Sequence, residues 1–297
     1  MTSTTRIDRA VRRHGLFLIA LLAIAVVALP AQGTGQFAFP LQSNSVRFAA
    51  IGDMGSGKQP QFDVANQMVK SRAAFPFEFV ITLGDNIYTG NKAKDYQKAF
   101  EAPYKSLLDA GVLFFASLGN HDDTNQRFYK PFNMNGATYY TYTKRNVRFF
   151  VLDSTYMDPR QLTWLEGQLR SAGKDDWKIC YFHHPLYSSA KAHGPADELR
   201  DVLEPLFVKY GVDVVFAGHE HVYERVRPQK GIYYFTEGAS GQLRARNLRS
   251  SSPNIAKGFD TDRSFMMVEI AGNDLYFQAI SRTGATVDSG VIPRTSR

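Results

Sequence analysis

The sequence predicts a layered α/β fold in which two mixed β-sheets are flanked by helices, and three observations carry that prediction. Short runs rich in β-branched and aromatic residues alternate with helical patterns along most of the chain. The closing stretch SFMMVEIAGNDLYFQAISRTGATVDSGVI alternates apolar and polar residues across Gly-Asn and Thr-Gly turn signals, which predicts antiparallel strands. With 297 residues, 44% of them apolar and 13% aromatic, the chain can bury a core large enough to cover two sheets.

In order, residues 1–31 read as a targeting segment: Arg6, Arg9, Arg12 and Arg13 precede the apolar run LFLIALLAIAVVAL, which ends in PAQG with the small residue Ala31. The run is shorter than the roughly 20 residues of a comfortable membrane span. It is therefore expected to be a cleaved export signal, with an uncleaved anchor as the alternative. The context of Arg12 and Arg13 matches a twin-arginine signal poorly. Residues 32–44 are expected to be a polar linker and 45–297 a single domain. The net charge is +7, and the first 31 residues hold four arginines against one aspartate. About +4 is left on the rest, too little to argue for a nucleic-acid partner. Cys180 is the only cysteine, so no intrachain disulfide can form, and its apolar setting WKICYF predicts a small buried hydrophobe.

Strands are predicted at SVRFAAIG, FEFVITLG, VLFFASLG, TYYTYT, VRFFVLD, KICYFH, VDVVFAG and GIYYFTEG. Helices are predicted near 60–73, 94–109, 161–172 and 197–210. In the third of these, Leu162, Leu165 and Leu169 share one face and Gly173 is the expected stop. The chain contains no internal repeat and no low-complexity tract.

Five predicted strands end in a potential metal ligand. Asp53 follows FAAIG, Asp85 follows VITLG, Asn120 and His121 follow FASLG, His183 and His184 follow CYF, and His219 and His221 follow VVFAG. Ligands of α/β sheets collect beyond the carboxyl ends of the strands, so these scattered residues can share one cleft. Glycines before several of them would let the backbone turn and aim the next side chain inward. Singly, each piece is an ordinary turn or a lone histidine. In the stretch FAAIGDMGSGKQP, Gly52, Gly57 and Lys58 also fit a loose phosphate-loop frame. That nucleotide-binding reading needs Ser or Thr after the lysine, and the chain has Gln59 and Pro60.

Taken in order, Asp53, GDNIY, GNHD, H-x-P and GHEH resemble the calcineurin-like metallophosphoesterases, and in detail the purple acid phosphatases of the tartrate-resistant type. The resemblance spans roughly residues 45 to 292. It implies the metallophosphoesterase sandwich and a binuclear centre. One ion would take Asp53, Tyr88, His221 and a shared oxygen of Asp85; the other would take Asp85, Asn120, His183 and His219. Hard anionic carboxylate and phenolate suit Fe(III), whereas imidazole and amide oxygen suit a divalent Fe, Zn or Mn. A shared carboxylate would hold the ions about 3.5 to 4 Å apart, and a coordinated hydroxide would attack phosphorus. With that hydroxide, Asp53, Asp85 and ionised Tyr88 counted against the ions, about +1 remains to attract a phosphate oxygen.

The resemblance also suggests His121, and His193 in KAHGPAD, as proton donors to the leaving alkoxide; such a donor favours an acidic optimum. Adjacent residues of a strand face opposite ways, so His184 is expected to face substrate and not the ion that His183 holds. Lys58 is a candidate phosphate contact. Tyr223, Glu224 and Arg225 are expected to be structural. The basic loop with Arg244, Arg246, Arg249 and Lys257 is either a solvated run or a clamp for an anionic substrate. The expected function is an exported, monomeric acid phosphatase acting on phosphorylated small molecules or phosphoproteins, without a nucleic-acid partner. It would meet a membrane only through an uncleaved N-terminus. A divalent-metal phosphodiesterase or nucleotide hydrolase, and an inactive binding protein on the same scaffold, are the alternatives.

Overall fold

Alternate residues of the first strand serve two different cores. The computed structural model describes residues 37–249 and 251–294, so the expected signal or anchor at 1–31 lies outside the described residues. The chain runs through β1 (Val46–Ile51), α1 (Gln59–Ala74), β2 (Phe79–Leu83), α2 (Ala93–Tyr96), α3 (Lys105–Asp109) and β3 (Leu113–Ser117). It continues through β4 (Tyr140–Lys144), β5 (Val147–Val151), α4 (Pro159–Ser171), β6 (Trp177–Tyr181), α5 (Asp197–Tyr210) and β7 (Val214–Ala217). The remaining strands are β8 (Tyr223–Gln229), β9 (Ile232–Glu237), β10 (Ile255–Phe259), β11 (Ser264–Ala271), β12 (Asp274–Ser281) and β13 (Thr286–Pro293).

Two mixed sheets result, in the orders β13-β12-β11-β1-β2-β3 and β10-β8-β9-β7-β6-β5-β4. Strands β1, β2 and β3 are parallel, as are β5, β6, β7 and β9; the C-terminal meander β11-β12-β13 is antiparallel. Phe48 and Ala50 of β1 enter the core between the sheets, while Ala49 and Ile51 face Val64, Ala65 and Met68 of α1. That period of two explains why the inner strands read as continuous apolar runs: both faces are covered. Across the gap, Phe48 meets Phe149 and Phe216 edge to face at 5.5 and 6.0 Å, and Phe79 meets Phe149 at 5.6 Å. Each such ring contributes about 1.5–3 kcal/mol by burial. A third core joins the second sheet to α4 and α5 through Leu165, Leu169, Leu203 and Phe207, with buried Cys180 inside it.

Several expected elements differ in detail. The helix predicted over 94–109 is broken into α2, one π turn at Gln97–Glu101 and α3. Helix α4 starts at Asp158, whose carboxylate accepts the Gln161 N–H at 2.8 Å, and it stops at Ala172 in extended conformation. Gly173 is therefore not its stop; its N–H instead binds the Asp176 carboxylate. The predicted linker is partly docked. Phe39 packs on Phe75 with centroids 4.0 Å apart, and Glu269 accepts the N–H groups of Leu41 and Gln42. Among the described residues, no helix is long and apolar enough to cross a membrane.

Candidate metal centre

The parallel strands deliver their acids and histidines to one edge of the sandwich. Asp53 follows β1, Asp85 follows β2, Asn120 and His121 follow β3, His183 and His184 follow β6, and His219 and His221 follow β7. Four of these residues adopt the left-handed region themselves: Asp53 (φ 51°), Asp85 (52°), His219 (70°) and His221 (45°). The preceding glycines share this work as expected: Gly84 is itself left-handed (φ 82°), and a Cβ at Gly52, Gly84, Gly119 or Gly218 would overlap its neighbours, but part of the turning falls on the ligand candidates. A left-handed non-glycine costs on the order of 1–3 kcal/mol and persists only where neighbours fix it. Here the Asp53 carboxylate accepts the His219 N–H at 2.7 Å and the Asp85 carboxylate accepts the His121 N–H at 2.9 Å.

The side chains form two adjoining clusters. In the first, the Tyr88 hydroxyl oxygen lies 2.7 Å from Asp85 Oδ2, 3.1 Å from Asp53 Oδ1 and 3.2 Å from His221 Nε2. His221 Nε2 is 3.1 Å from Asp53 Oδ1. In the second, His183 Nε2 lies 3.0 Å from Asn120 Oδ1, 3.1 Å from His219 Nδ1 and 3.5 Å from Asp85 Oδ1. His183 Nδ1 faces the Leu83 carbonyl at 2.9 Å, an oxygen that only accepts, so the neutral ring carries its proton there. Nε2 is then a lone pair facing the amide oxygen of Asn120 and an oxygen of Asp85. Acceptors that converge on acceptors in a buried place call for a cation, and the donor set fits one.

The electrostatics point the same way. Burial and the neighbouring Asp85 hold the Asp53 carboxyl well above its usual range. Burial, Asp53 and Asp85 push the Tyr88 phenol far up. Burial and nearby histidines drive His183 well down and His219 to about 2; burial and Arg244 lower His221 to about 4. A cation would favour the ionised acids and would compete with no proton on the neutral imidazoles, so the charge preferences of these groups fit one.

This arrangement sets a pH signature. Glu237, fully buried behind Asp53, is raised to about 8, first by burial and then by Asp53. A raised acid contributes stability that is whole below its unfolded pKa and lost as pH rises through the folded one. The lowered histidines contribute stability that is present above 6.5 and lost on acidification. Chelated protein should therefore lose thermal stability on both sides of about pH 6, with the stretch from 6.5 to 8 governed by the acids alone. Metal-loaded protein should show a shallower slope over that stretch, because bound metal removes the share owed to Asp53 while the burial of Glu237 remains, and Glu237→Gln should flatten part of the slope in both forms. Parallel melting curves with and without chelator would contradict it.

Around the clusters, His193 stacks on His219 with centroids 4.3 Å apart, and the His121 ring sits 5.0 Å from Tyr88. His184 departs from expectation. Strand β6 ends at Tyr181, so strand alternation no longer applies at 183 and 184, and both rings turn to the same side, 4.9 Å apart. A nitrogen of His184 lies within metal-ligating range of His183 and His219, while its Nδ1 meets Ser154 Oγ at 2.9 Å. His184 also lines a cavity of about 410 Å³ with Asn120, Ser154, Thr155, Glu198 and Leu199. Lys58 caps α1 at the surface, and no hydrogen bond or ion pair joins its side chain to another described residue. Gly55 lies two residues after Asp53. A Cβ there would overlap the Asn86 carbonyl, so the position is taken up by packing against the Asp85 loop.

Three further acids hold the site together, and of these only Glu224 was expected to be structural. Asp122 is half-buried, lifted to about 7 by desolvation and by Asp85, and accepts N–H groups from Asn86, Ile87 and Gly119. It ties the GDNIY loop to the GNHD loop. Glu220 and Glu224, both fully buried, accept from Gly194 and from Ser188 and Ser189, so they grip the His193 loop at both ends. The only sequence signal for them is acid within a motif whose neighbours are apolar or ligating. Gly119 itself packs so closely that an added Cβ would overlap Asp85 Oδ1 and its backbone nitrogen. Gly119→Ala should cost about 1–3 kcal/mol of stability and most of the metal content, read by melting and metal analysis. Unchanged occupancy would show that the contact is slack.

The calcineurin-like phosphoesterase model matches residues 46–223. Tartrate-resistant acid phosphatase type 5 of Homo sapiens is 26% identical over 327 residues, covering 94% of this chain and 98% of the relative. Purple acid phosphatase 4 of Arabidopsis thaliana is 27% identical over 88% of this chain and 87% of its own. Among solved structures, purple acid phosphatase PPD1 from yellow lupin (Lupinus luteus) seeds superposes with a TM-score of 0.73 at 20% identity, over 86% of this chain and 55% of that one. GAP50, the anchor in the inner membrane complex of Plasmodium, superposes equally well, with a TM-score of 0.73 at 19% identity over 84% and 89%.

Proposed function

Because this chain belongs to the calcineurin-like phosphoesterases and is a purple acid phosphatase-like hydrolase of phosphoric esters, we propose that it is an exported phosphomonoesterase with a mixed-valent binuclear centre. The observation that carries the reading is the convergence of lone pairs from Asp53, Asp85, Tyr88 and His221 beside those of Asn120, His183 and His219. Asp53, Tyr88 and His221 would hold Fe(III), and Asn120, His183 and His219 a divalent Fe, Zn or Mn, with Asp85 shared. When bound, the two ions supply Lewis acidity towards a phosphoryl oxygen and lower the pKa of coordinated water.

The chain's own residues do the rest. Asp85 and Asp53 are fixed by backbone N–H groups, so the donor set is in place before substrate arrives. The cavity beside Asn120 and His184 offers room for the leaving alcohol. His193 lies against His219 of one cluster and His121 beside Tyr88 of the other, each a candidate to hand a proton to the departing oxygen. Burial, Arg244 and neighbouring histidines lower His193, which favours proton release at acidic pH.

Purified protein assayed for metal and for hydrolysis of p-nitrophenyl phosphate and its bis-ester across pH tests the proposal. Two metals per chain and a monoester preference with an acidic optimum are expected. Diester preference with divalent ions alone would overturn the acid-phosphatase reading. The likeness to an anchor protein keeps a binding role in view, and metal retention without turnover of any ester would favour it.

A further inference from the structure

Of the four cations in the basic loop, one is drawn into the site. The Arg244 N–H donates to the His221 carbonyl at 3.0 Å, and its Nη1 donates to the His219 carbonyl at 3.0 Å. The other three go elsewhere: Arg249 Nη1 binds the Ala190 carbonyl, and Arg246 and Lys257 are exposed. Arg244 is half-buried, its guanidinium is held at the His219 carbonyl, and its charge is felt by Asp53, His193, Glu220 and His221.

Its charge is not consumed by a partner. A guanidinium has five donors, and the side-chain hydrogen bond that Arg244 makes is to a backbone carbonyl. Of the acids nearby, Glu220 accepts from Gly194 and Asn247, and Asp53 accepts from His219 and faces the first cluster. Among the described residues no carboxylate forms an ion pair with Arg244. An uncompensated planar cation, fixed by backbone at the rim of a phosphoester site, is suited to a phosphate oxygen.

Building on the hydrolase reading above, we propose that Arg244 binds a non-bridging oxygen of the substrate and selects dianionic phosphate monoesters over monoanionic diesters. A diester has one negative charge, which the metal centre itself attracts; the second charge of a monoester is what an additional cation rewards. The residue thus bears on the choice that the metal ligands leave open.

The test compares Arg244→Gln and Arg244→Lys with the wild type in metal-loaded protein. Arg244→Gln should raise KM for p-nitrophenyl phosphate about 10- to 100-fold, the range for losing a charge-assisted hydrogen bond. It should raise the calorimetric Kd for inorganic phosphate equally and leave metal content unchanged. Bis-p-nitrophenyl phosphate should suffer less, so the monoester preference narrows, and Arg244→Lys should recover part of the loss. Unaltered phosphate affinity would overturn the proposal, as would a loss of bound metal, which would make Arg244 a prop for the GHEH turn. A wild type that turns over no ester yet binds phosphate through Arg244 would sink the hydrolase reading alone.

Discussion

Asp85→Asn should lose both metals and essentially all turnover. Asp85 is 1% exposed and is the one acid that reaches both clusters, with Oδ2 2.7 Å from the Tyr88 oxygen and Oδ1 3.5 Å from His183 Nε2. The amide keeps the shape and removes the anion, so two cations would be left to repel each other across a neutral bridge. Removing a residue that merely orients a ligand costs about 10- to 100-fold in metal affinity or activity, and loss of a shared ligand should exceed that. Metal analysis and p-nitrophenyl phosphate hydrolysis read the outcome. A variant that keeps two metals and its turnover would refute the binuclear centre.

Tyr88→Phe should abolish a visible absorption band and the hold on the trivalent ion. Tyr88 is three residues beyond Asp85, and its hydroxyl sits among two carboxylates and an imidazole. Burial and those carboxylates oppose its ionisation strongly, so only a cation of high charge can make it a phenolate. Phenolate bound to Fe(III) absorbs in the visible by charge transfer, and phenylalanine keeps the ring without the oxygen. A coloured wild type and a colourless variant with reduced iron are expected. A colourless wild type, active with divalent ions only, would remove iron from the account.

The convergence of the candidate ligands was legible because strand-end residues need only local sequence: an apolar β run followed by Asp, Asn or His announces where a side chain will emerge. The helix face of α4 was legible for a similar reason, since Leu165 and Leu169 are buried at helical spacing. Strands β8 and β10 were not. YERVRPQ contains Pro228 and a register shift, and IAKGF is a short edge strand with no buried residue, so neither carries the apolar alternation that marks a strand. The turn of His184 towards His183 was hidden because it depends on where β6 stops, and a single residue at a strand end reverses the facing rule. Asp122 and Glu220 were missed for a different reason, and Glu224 was read as structural without its partner being legible. Their partners, Asn86, Gly194 and Ser188, are distant in sequence and donate largely through backbone that no side-chain pattern reveals.

The left-handed backbone at Asp53, Asp85, His219 and His221 also limits how this site can be redesigned. At these positions coordination chemistry and chain geometry are the same residue, so a ligand cannot be exchanged without also re-pricing the turn. Asparagine, which tolerates that conformation, is the exchange that changes chemistry alone; glutamate or alanine changes both. Attempts to retune the metals through longer carboxylates would therefore confound affinity with folding. Asn120 and His183 are not left-handed, so changes there would probe the second cluster without that turn cost.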